Sequence, residues 1–473
     1  MPYALGIDLG TARTSAAISR NDQEGWQEPQ VVPLDGERTG VASVLHLTDH
    51  HAVEVGSEAL RHAAMRPDRA ARFFLDRIGD EVPLALGGRH YPAEMLMAAL
   101  VGWVVDRAEE IEGMPATQLV VTHPVGWGTH RRAALLGALR DVNLPELTML
   151  PRPVAAAEAH AAGDRVEVGE QLAVYSLGAG RFEAAVLRRG AFGFELCGHA
   201  DSVEMLGGAL FDDLLADHVL GELGDVAGAS LAGLRGACVE AKERLSTEIA
   251  VTIPAPPGTR RASVAVSRSA FEQLVRPAVE STVDLLVRTI KAAESKDAEL
   301  RAVVLVGGSA RIPLVAELVA AAVRARVVAA ADPGTAIARG AALAAAKVAK
   351  PTVRAPALAV TPTSSVTQQS VTQHTDLMRM DEEDFEDDFP DLGEVADIGP
   401  PPPRPPVEIQ PLDPPPKGMA KMTTRMGRRG DDELDRRPRD QDRAWDFEDD
   451  DSQDSQVRPR RRRDYAEATE DDR

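Results

Sequence analysis

The chain has 473 residues, of which 44% are hydrophobic, and its formal net charge at pH 7 is −21. This length and this apolar content support two or three domains with a sizeable core. Because binding to a nucleic acid requires clustered Lys and Arg side chains against the phosphates, the acidic balance excludes nucleic acid from the expected partners.

The cysteines and the hydropathy indicate the cellular compartment in which the protein is expected. Cys197 and Cys238 are the only cysteines, and their spacing indicates neither a metal site nor a disulfide framework. The N-terminus lacks the basic and apolar regions of a signal peptide, and no segment reaches the roughly 18 apolar residues that span a bilayer. We therefore expect a cytoplasmic protein with no membrane partner.

Short apolar runs alternate with longer amphipathic segments from residue 3 to about residue 350, a pattern typical of α/β layers. The predicted strands are residues 4–7, 16–19, 119–122, 172–175, 184–187, 249–253 and 303–306. The predicted helices are residues 93–111, 130–141, 154–162, 209–220, 231–246, 268–293 and 313–323, and a further helix opens within residues 332–342.

A ten-residue segment occurs twice in the chain. LGTARTSAAI at residues 9–18 returns 168 positions later as LGAGRFEAAV at residues 177–186, with five identical residues. Each copy follows an apolar run, and its glycines let backbone N–H groups approach a phosphate closely. The repeat predicts two related lobes, residues 1–165 and 166–350, with a ligand in the cleft between them. The alternative is an ordinary hairpin turn in each lobe.

Two further Gly-rich segments lie in the second half. They are LGGALFD at residues 206–212 and VLVGGSARIP at residues 304–313. The backbone at Gly307 and Gly308 can pass close to a flat ring because neither residue has a Cβ. Ser309 and Arg311 offer a hydroxyl and a guanidinium to the face of a purine.

Residues 351–473 differ in composition from the rest of the chain. They contain 16 of the 33 prolines and carry −12 of the net charge. This composition predicts a disordered acidic, proline-rich tail without a substrate-binding domain. Acidic-aromatic segments at residues 381–392 and 445–451 are either solvated charge or docking motifs for a protein partner.

Eight motifs occur in the order found in one protein family. They are GIDLGT at 6–11, VTHPVGW at 121–127, RPVAAA at 152–157, LGAGRFE at 177–183, LGGALFD at 206–212, AKERLS at 241–246, LVGGSARIP at 305–313 and ARGAA at 338–342. Together they resemble the ATPase domain of the heat-shock protein 70 chaperone family over essentially residues 1–350. The resemblance implies a two-lobed, actin-like ATPase fold with ATP or ADP in the cleft.

The resemblance also implies which residues bind the nucleotide. Gly10 and Thr11 would face the phosphates, residues 178–180 would form a second phosphate loop, and Lys242 with Ser246 would lie at the adenosine. The full implied set is Gly10, Thr11, Arg13, Gly178, Ala179, Gly180, Arg181, Gly207, Gly208, Lys242, Ser246, Gly307, Gly308, Ser309 and Arg311.

Several residues depart from the family pattern. The family's catalytic Lys aligns with Leu75, the Glu before its Pro-x-Ala-Ala-Ala helix with Arg152, and the Asp that opens its second phosphate loop with Ser176. Of three expected carboxylates only Asp8 remains in place, as a residual catalytic residue and a weak metal ligand. Because phosphoryl transfer needs a metal-bridged triphosphate and an oriented nucleophile, we expect little Mg²⁺ binding and little hydrolysis.

The replacements bring three arginines, Arg13, Arg152 and Arg181, towards the expected phosphate position. Either they substitute for Mg²⁺ and Lys as phosphate ligands, or they pair with Asp8, Glu183 or neighbouring acids and close an empty cleft.

The sequence therefore predicts a chaperone-like or regulatory protein that binds ATP or ADP with weak or no hydrolysis and recruits partners through its tail. One alternative is an active Mg²⁺-dependent ATPase acting as a minimal chaperone or co-chaperone, in which Glu183 or Asp76 helps Asp8 to position the metal. The other is a structural scaffold of pseudo-ATPase type with an empty cleft.

Overall fold

The computed structural model describes residues 1–36, 39–50, 52–142, 144–224, 232–257, 259, 261–293 and 299–349. These residues all fall within one compact unit, Met1–Leu412. The predicted disordered tail and its two acidic-aromatic segments lie outside the described residues.

The first half begins with a buried hairpin and ends with a helix. Its strands are β1 (Tyr3–Asp8), β2 (Arg13–Arg20), β3 (Gln30–Val31), β4 (Val41–Ala42), β5 (Val44–Leu47), β6 (Val53–Val55), β7 (Ala70–Arg72), β8 (Leu84–Leu86), β9 (Arg89–Tyr91), β10 (Gln118–His123) and β11 (Leu147–Pro151). Its helices are α1 (Gly56–Met65), α2 (Ala93–Glu112), α3 (Thr129–Asp141) and α4 (Arg152–Gly163). The predicted strands and helices of this half are confirmed, whereas β3–β9, β11 and α1 were not predicted.

The second half repeats this plan. Its strands are β12 (Gln171–Leu177), β13 (Phe182–Arg189), β14 (Phe194–Asp201), β15 (Ala250–Pro254), β16 (Ser263–Ser267), β17 (Leu300–Val306) and β18 (Arg326–Ala329). Its helices are α5 (Gly208–Leu223), α6 (Ala232–Leu245), α7 (Arg268–Ala293), α8 (Pro313–Ala322) and α9 (Ala336–Val348). Every strand and helix predicted here is confirmed. Within the described residues, none of the helices combines the length and the hydropathy that crossing a bilayer requires.

The two halves contain sheets of the same design. The first sheet has the order β11-β10-β1-β2-β3, with β1 antiparallel to β2 and parallel to β10. The second has the order β18-β17-β12-β13-β14, with β12 antiparallel to β13 and parallel to β17. The fold is therefore the predicted duplicated α/β fold. The boundary at residue 165 stays a prediction.

The central strands of both sheets are buried on both faces. Every residue of β1 and every residue of β12 is buried. Strands covered on both faces read as nearly continuous apolar runs, which is why these segments were the clearest strand signals in the sequence.

An alanine-rich core joins the two sheets. It contains Ala155 and Ala156 from α4, Ala341 and Ala345 from α9, and residues of both sheets, including Val120 on β10. Although α9 follows the second sheet in the chain, it also packs against β1 and β2 of the first sheet, where Ala17 meets Ala338 and Ala342. The small side chains let these elements approach closely.

Glycines mark the closest approaches of α9. A Cβ on Gly340 would lie 1.7 Å from the carbonyl oxygen of Ala155 in α4, and one on Gly6 in β1 would lie 2.1 Å from the backbone nitrogen of Ala342. No side chain can move aside to relieve either overlap, because both partners are backbone atoms. These contacts set the spacing of α4, α9 and β1.

We expect Gly340→Ala to lower the free energy of unfolding by about 2 kcal/mol or more, because the added methyl group forces α4 and α9 apart. Urea denaturation measures this change. The matched control is Gly137→Ala in α3, where a Cβ meets nothing within 4 Å. That substitution is expected to stabilise the protein by about 0.5–1 kcal/mol. Equal effects of the two variants would contradict the close packing of α4 and α9.

Candidate functional site

The two copies of the sequence repeat form equivalent hairpins. β1 and β2 are joined by residues 9–12, and β12 and β13 are joined by residues 178–181. In the first hairpin Asp8 pairs across the strands with Ser15, and in the second Ser176 pairs with Glu183. Each hairpin therefore carries one carboxylate at this cross-strand pair. In the first hairpin it is Asp8 on the first strand, and in the second hairpin it is Glu183 on the second strand.

The turns of the two hairpins touch each other. A Cβ on Gly180 would lie 2.7 Å from the hydroxyl oxygen of Thr11, and one on Gly10 would lie 2.1 Å from the carbonyl oxygen of Arg13. At Gly10 the partner is a backbone atom that cannot move aside, and at Gly180 the side chain of Thr11 would have to shift. The structure thus brings together Thr11 and Gly180, which the sequence placed in separate phosphate loops.

Three further Gly-rich or polar segments close around the second turn. The backbone N–H of Gly208 and the hydroxyl of Ser309 donate to the carbonyl of Gly178 at 2.9 Å and 2.8 Å. Lys242 donates to the carbonyl of Gly208 at 2.9 Å and pairs with Asp212 at 2.8 Å. The start of α5, α6 and the turn after β17 therefore meet at the second hairpin, as a shared ligand site requires.

The other expected adenosine residues lie along the same edge. Gly307 has φ = +91°, and a Cβ there would lie 2.4 Å from the carbonyl oxygen of Leu177, so its backbone runs directly against the second hairpin. Gly308 is exposed, and Ser246 is half-buried just after α6. The contacts of Gly207 are equally close, since a Cβ added there would lie 2.4 Å from the carbonyl oxygen of Gly180.

Arg311 is anchored at one side only. Its guanidinium is half exposed and donates to the carboxylate of Asp332. Burial acts to raise the pKa of Asp332, but the hydrogen bonds from Arg311 and Thr335 outweigh it and lower the pKa. A charged carboxylate thus holds a guanidinium that keeps one accessible face.

Arg152 lies between the carboxylates of the two hairpins. Its Nε donates to Oδ1 of Asp8 at 3.1 Å, and its Nη1 lies 3.7 Å from Oε2 of Glu183. The hydroxyl of Thr122 donates to the same Asp8 oxygen at 2.7 Å, and the N–H of Val125 donates to Oε1 of Glu183 at 3.2 Å. All three charged side chains are at most 14% exposed. Burial opposes the charge of Arg152, but the two acids outweigh it and its pKa is raised.

Acidic side chains crowd the Glu183 side of this ion pair. Burial raises the pKa of Glu183 to about 7 against the opposing effect of Arg152, and Asp201, its direct partner across the strands, adds to the rise. Burial also raises the pKa of Asp201 and of Asp76. One carboxyl oxygen of each of these three residues is buried without a hydrogen bond within the part of the chain that the structure describes.

The other two arginines of interest bind backbone carbonyls. Arg181 donates to the carbonyls of Ser202 and Val203, and its Nε lies 3.9 Å from Oδ1 of Asp76. Arg13 is exposed and donates to the carbonyl of Gly40 at 3.4 Å. Arg152 is therefore paired with acids, whereas Arg13 and Arg181 keep exposed charge near the hairpin turns.

The residues around Asp8 do not fit a magnesium ion. Magnesium requires oxygen ligands in an octahedral arrangement, but one Asp8 oxygen already accepts two hydrogen bonds, and a guanidinium lies 3.1 Å away. The buried side chains of Leu75 and Ser176 supply no charge in compensation. A divalent cation would meet a permanent positive charge here.

Sequence reasoning missed three residues of this site. Thr122 and Val125 stand inside the motif VTHPVGW, but nothing in the motif indicates that they bind Asp8 and Glu183. Asp201 has no motif around it, and the register between β13 and β14 alone places it beside Glu183. The other side of Asp201 faces Gly126, where a Cβ would lie 1.8 Å from its Oδ2.

The fold and the site define a class of α/β proteins in which a duplicated sheet brings two Gly-rich hairpin turns together. A family model described as Hsp70 protein matches residues 76–382, which is more than half of the chain. The chain therefore belongs to the Hsp70 family, whose domains bind ATP or ADP. The match begins after the first hairpin, so Asp8 and Thr11 lie outside it.

The raised pKa of Glu183 predicts how stability depends on pH. An unfolded Glu ionises near pH 4.5 and the native one near pH 7, so between these values the native state binds more protons. Raising the pH through this window therefore lowers the free energy of unfolding. We expect this decline to be shallower in Glu183→Gln than in the unsubstituted chain, as measured by urea denaturation at a series of pH values. Exposed Glu81→Gln is the control, and equal slopes in all three proteins would refute the assignment.

Proposed function

We propose that this protein is an Hsp70-type nucleotide holder, which binds ATP or ADP against its two hairpin turns without requiring Mg²⁺ and hydrolyses ATP weakly or not at all. The observation that carries the proposal is the buried ion pair of Arg152 with Asp8, in which Nε and Oδ1 are 3.1 Å apart. It puts a fixed positive charge beside the one carboxylate that remains from the family's catalytic set.

We expect weak hydrolysis because the ion pair with Arg152 takes the Asp8 carboxylate away from catalysis. Attack of water on a phosphoryl group is catalysed by positioning and by cations that neutralise the developing charge. Asp8 is neutralised by Arg152, and the expected catalytic Lys is replaced by Leu75, which is 2% exposed and apolar. A guanidinium neutralises charge but does not activate water as a bound metal does.

Binding is supported by features that do not depend on a metal. Gly180, Gly207 and Gly208 let neighbouring segments approach the turns closely, since a Cβ at these positions would lie 2.7, 2.4 and 2.6 Å from protein atoms. Gly-rich turns of this kind present backbone N–H groups that suit phosphate oxygens. Arg13 and Arg181 supply exposed positive charge near the same turns. Arg311, half exposed and held by Asp332, is available to stack on a purine.

Isothermal titration with ATP tests this proposal. We expect binding whose dissociation constant changes less than about threefold between excess Mg²⁺ and excess chelator, because Arg152 already occupies the Asp8 carboxylate that would hold the metal. In Arg152→Gln the Asp8 carboxylate is freed, and Mg²⁺ is expected to strengthen ATP binding about tenfold, equivalent to about 1.4 kcal/mol. The control is Arg189→Gln, which removes another partly buried arginine, one that pairs with Glu158.

Steady-state phosphate release separates the holder from an active enzyme. The unsubstituted chain and Asp8→Ala are expected to release phosphate at the same low rate. Turnover that Asp8→Ala abolishes would support a Mg²⁺-dependent ATPase instead, and the absence of ATP binding with and without Mg²⁺ would support a scaffold with an empty cleft.

We further propose that this holder works in the cytoplasm and recruits protein partners through residues 381–392 and 445–451. The support comes from the sequence, since both segments place aromatic side chains among acidic ones. Such segments gain little by burial within their own chain but suit a basic surface on another protein.

Deletion of residues 376–473 is expected to leave the melting temperature and the ATP affinity of the remaining chain nearly unchanged, because a polar, proline-rich segment buries little apolar surface. Differential scanning calorimetry and isothermal titration check this. A large fall in the melting temperature on deletion would show that the segment packs on the lobes.

A further inference from the structure

Two histidines and a glutamate meet outside the nucleotide site. Nδ1 of His46 lies 2.9 Å from Oε2 of Glu54, and Nδ1 of His62 lies 2.6 Å from the same oxygen. The centroids of the two imidazole rings are 5.4 Å apart. Within the described part of the chain, this is the group of His, Cys, Asp and Glu side chains whose geometry suits a metal ion.

The local fold explains why these three side chains converge. His46 on β5 and Glu54 on β6 are direct partners across antiparallel strands, so their side chains stand on the same face of the ribbon. The helix α1 follows β6 at once and packs Ala59 and Ala63 against Val44, which shares a face with His46. This packing brings His62, in the last turn of α1, onto Glu54.

This cluster belongs to a separate sheet. The strands β5, β6 and β7 form a three-stranded sheet of their own, and none of the residues described at the hairpin turns belongs to it. Leu45 and Leu47, which alternate with His46, face the main core of the first half. The alternation leaves His46 itself 6% exposed and turned towards α1.

The donor set indicates the kind of ion. Imidazole nitrogens favour zinc and related first-row metals, whereas Mg²⁺ and Ca²⁺ prefer sites made only of oxygen. Two histidines and one carboxylate, completed by water, make a four-coordinate zinc site. The three ligand atoms lie within 4.8 Å of one another, and neighbouring ligands of tetrahedral zinc with bonds near 2.1 Å are about 3.4 Å apart. Small side-chain shifts therefore suffice to admit the ion.

The hydrogen bonds of the cluster fit this role as well. Oε2 of Glu54 accepts hydrogen bonds from Nδ1 of both His62 and His46, so the three ligand atoms already face one another. His46 and His62 now share one carboxylate oxygen, and zinc would give each imidazole a nitrogen–metal bond in place of this shared contact.

We propose that His46, Glu54 and His62 bind one Zn²⁺ ion, which ties the β5–β6 hairpin to α1. Nε2 of His46 is buried and has no hydrogen-bond partner among the described residues. Histidine ligands of tight zinc sites usually donate their second ring nitrogen to an acceptor, and loss of such a partner weakens metal affinity 10- to 100-fold. We therefore expect micromolar rather than nanomolar affinity.

Zinc titration of the full chain without a polyhistidine tag tests the site. One equivalent of Zn²⁺ is expected to bind in competition with a chromophoric chelator, and Co²⁺ in its place is expected to give the strong visible absorption of a tetrahedral site. At a Zn²⁺ concentration about a hundred times the dissociation constant, the melting temperature is expected to rise by about 3 °C.

Three substitutions locate the ion. Glu54→Gln and His62→Asn are expected to weaken Zn²⁺ binding at least tenfold and to abolish the Co²⁺ absorption, while exposed His90→Asn leaves both unchanged. Glu54→Gln keeps a hydrogen-bond acceptor for both histidines, so it preserves the local fold even if His46→Asn does not.

Two results would overturn the proposal: the absence of stoichiometric binding in the unsubstituted chain, or binding that survives both Glu54→Gln and His62→Asn. ATP affinity is expected to be the same in Glu54→Gln and in the unsubstituted chain, so this test stands independently of the nucleotide proposal.

Discussion

The close packing of α4 against α9 is the constraint on which the rest of the structure depends. At Gly340 the two helices approach so closely that a Cβ would lie 1.7 Å from a backbone oxygen, and α9 makes a similar contact with β1 at Gly6. One helix that follows the second sheet is thereby fixed against the first sheet. The apolar side chains around it come from both sheets, so a change in this spacing would alter how the two hairpins face each other.

The position of α4 also decides the chemistry of the site. Arg152 is the first residue of α4. The packing that fixes this helix therefore places the guanidinium of Arg152 between Asp8 of one hairpin and Glu183 of the other. Burial makes unpaired charges expensive, and the two carboxylates stabilise the buried charge of Arg152. An acid at this position could help to hold a metal, whereas Arg152 supplies the protein's own cation. Helix packing has a similar effect elsewhere, where α1 packs on the β5–β6 hairpin and brings its own His62 together with His46 and Glu54.

Much of the fold could be predicted from the sequence, and the reasons are local. Strands such as β1 and β12 are apolar throughout because both of their faces are buried, and helices such as α7 show a long amphipathic pattern. The strands β3–β9 escaped prediction because they are only two to four residues long, which is too short to show a period. Among the site residues, glycines were visible in the sequence because close backbone approach demands them. Thr122 stands in a motif that does not indicate its contact with Asp8, and Asp201 belongs to no recognisable pattern.

The sequence by itself determined the class of the fold and its duplication, and it led to the expectation that Arg152, Ser176 and Leu75 replace the family's acids and lysine. These features depend only on residue types and on their spacing along the chain. Only the tertiary structure decided which acids Arg152 meets, since Asp8 and Glu183 lie 144 and 31 positions away from it in sequence. Contacts of this kind depend on the register between strands and on the distance between helices, and no short segment of sequence encodes either.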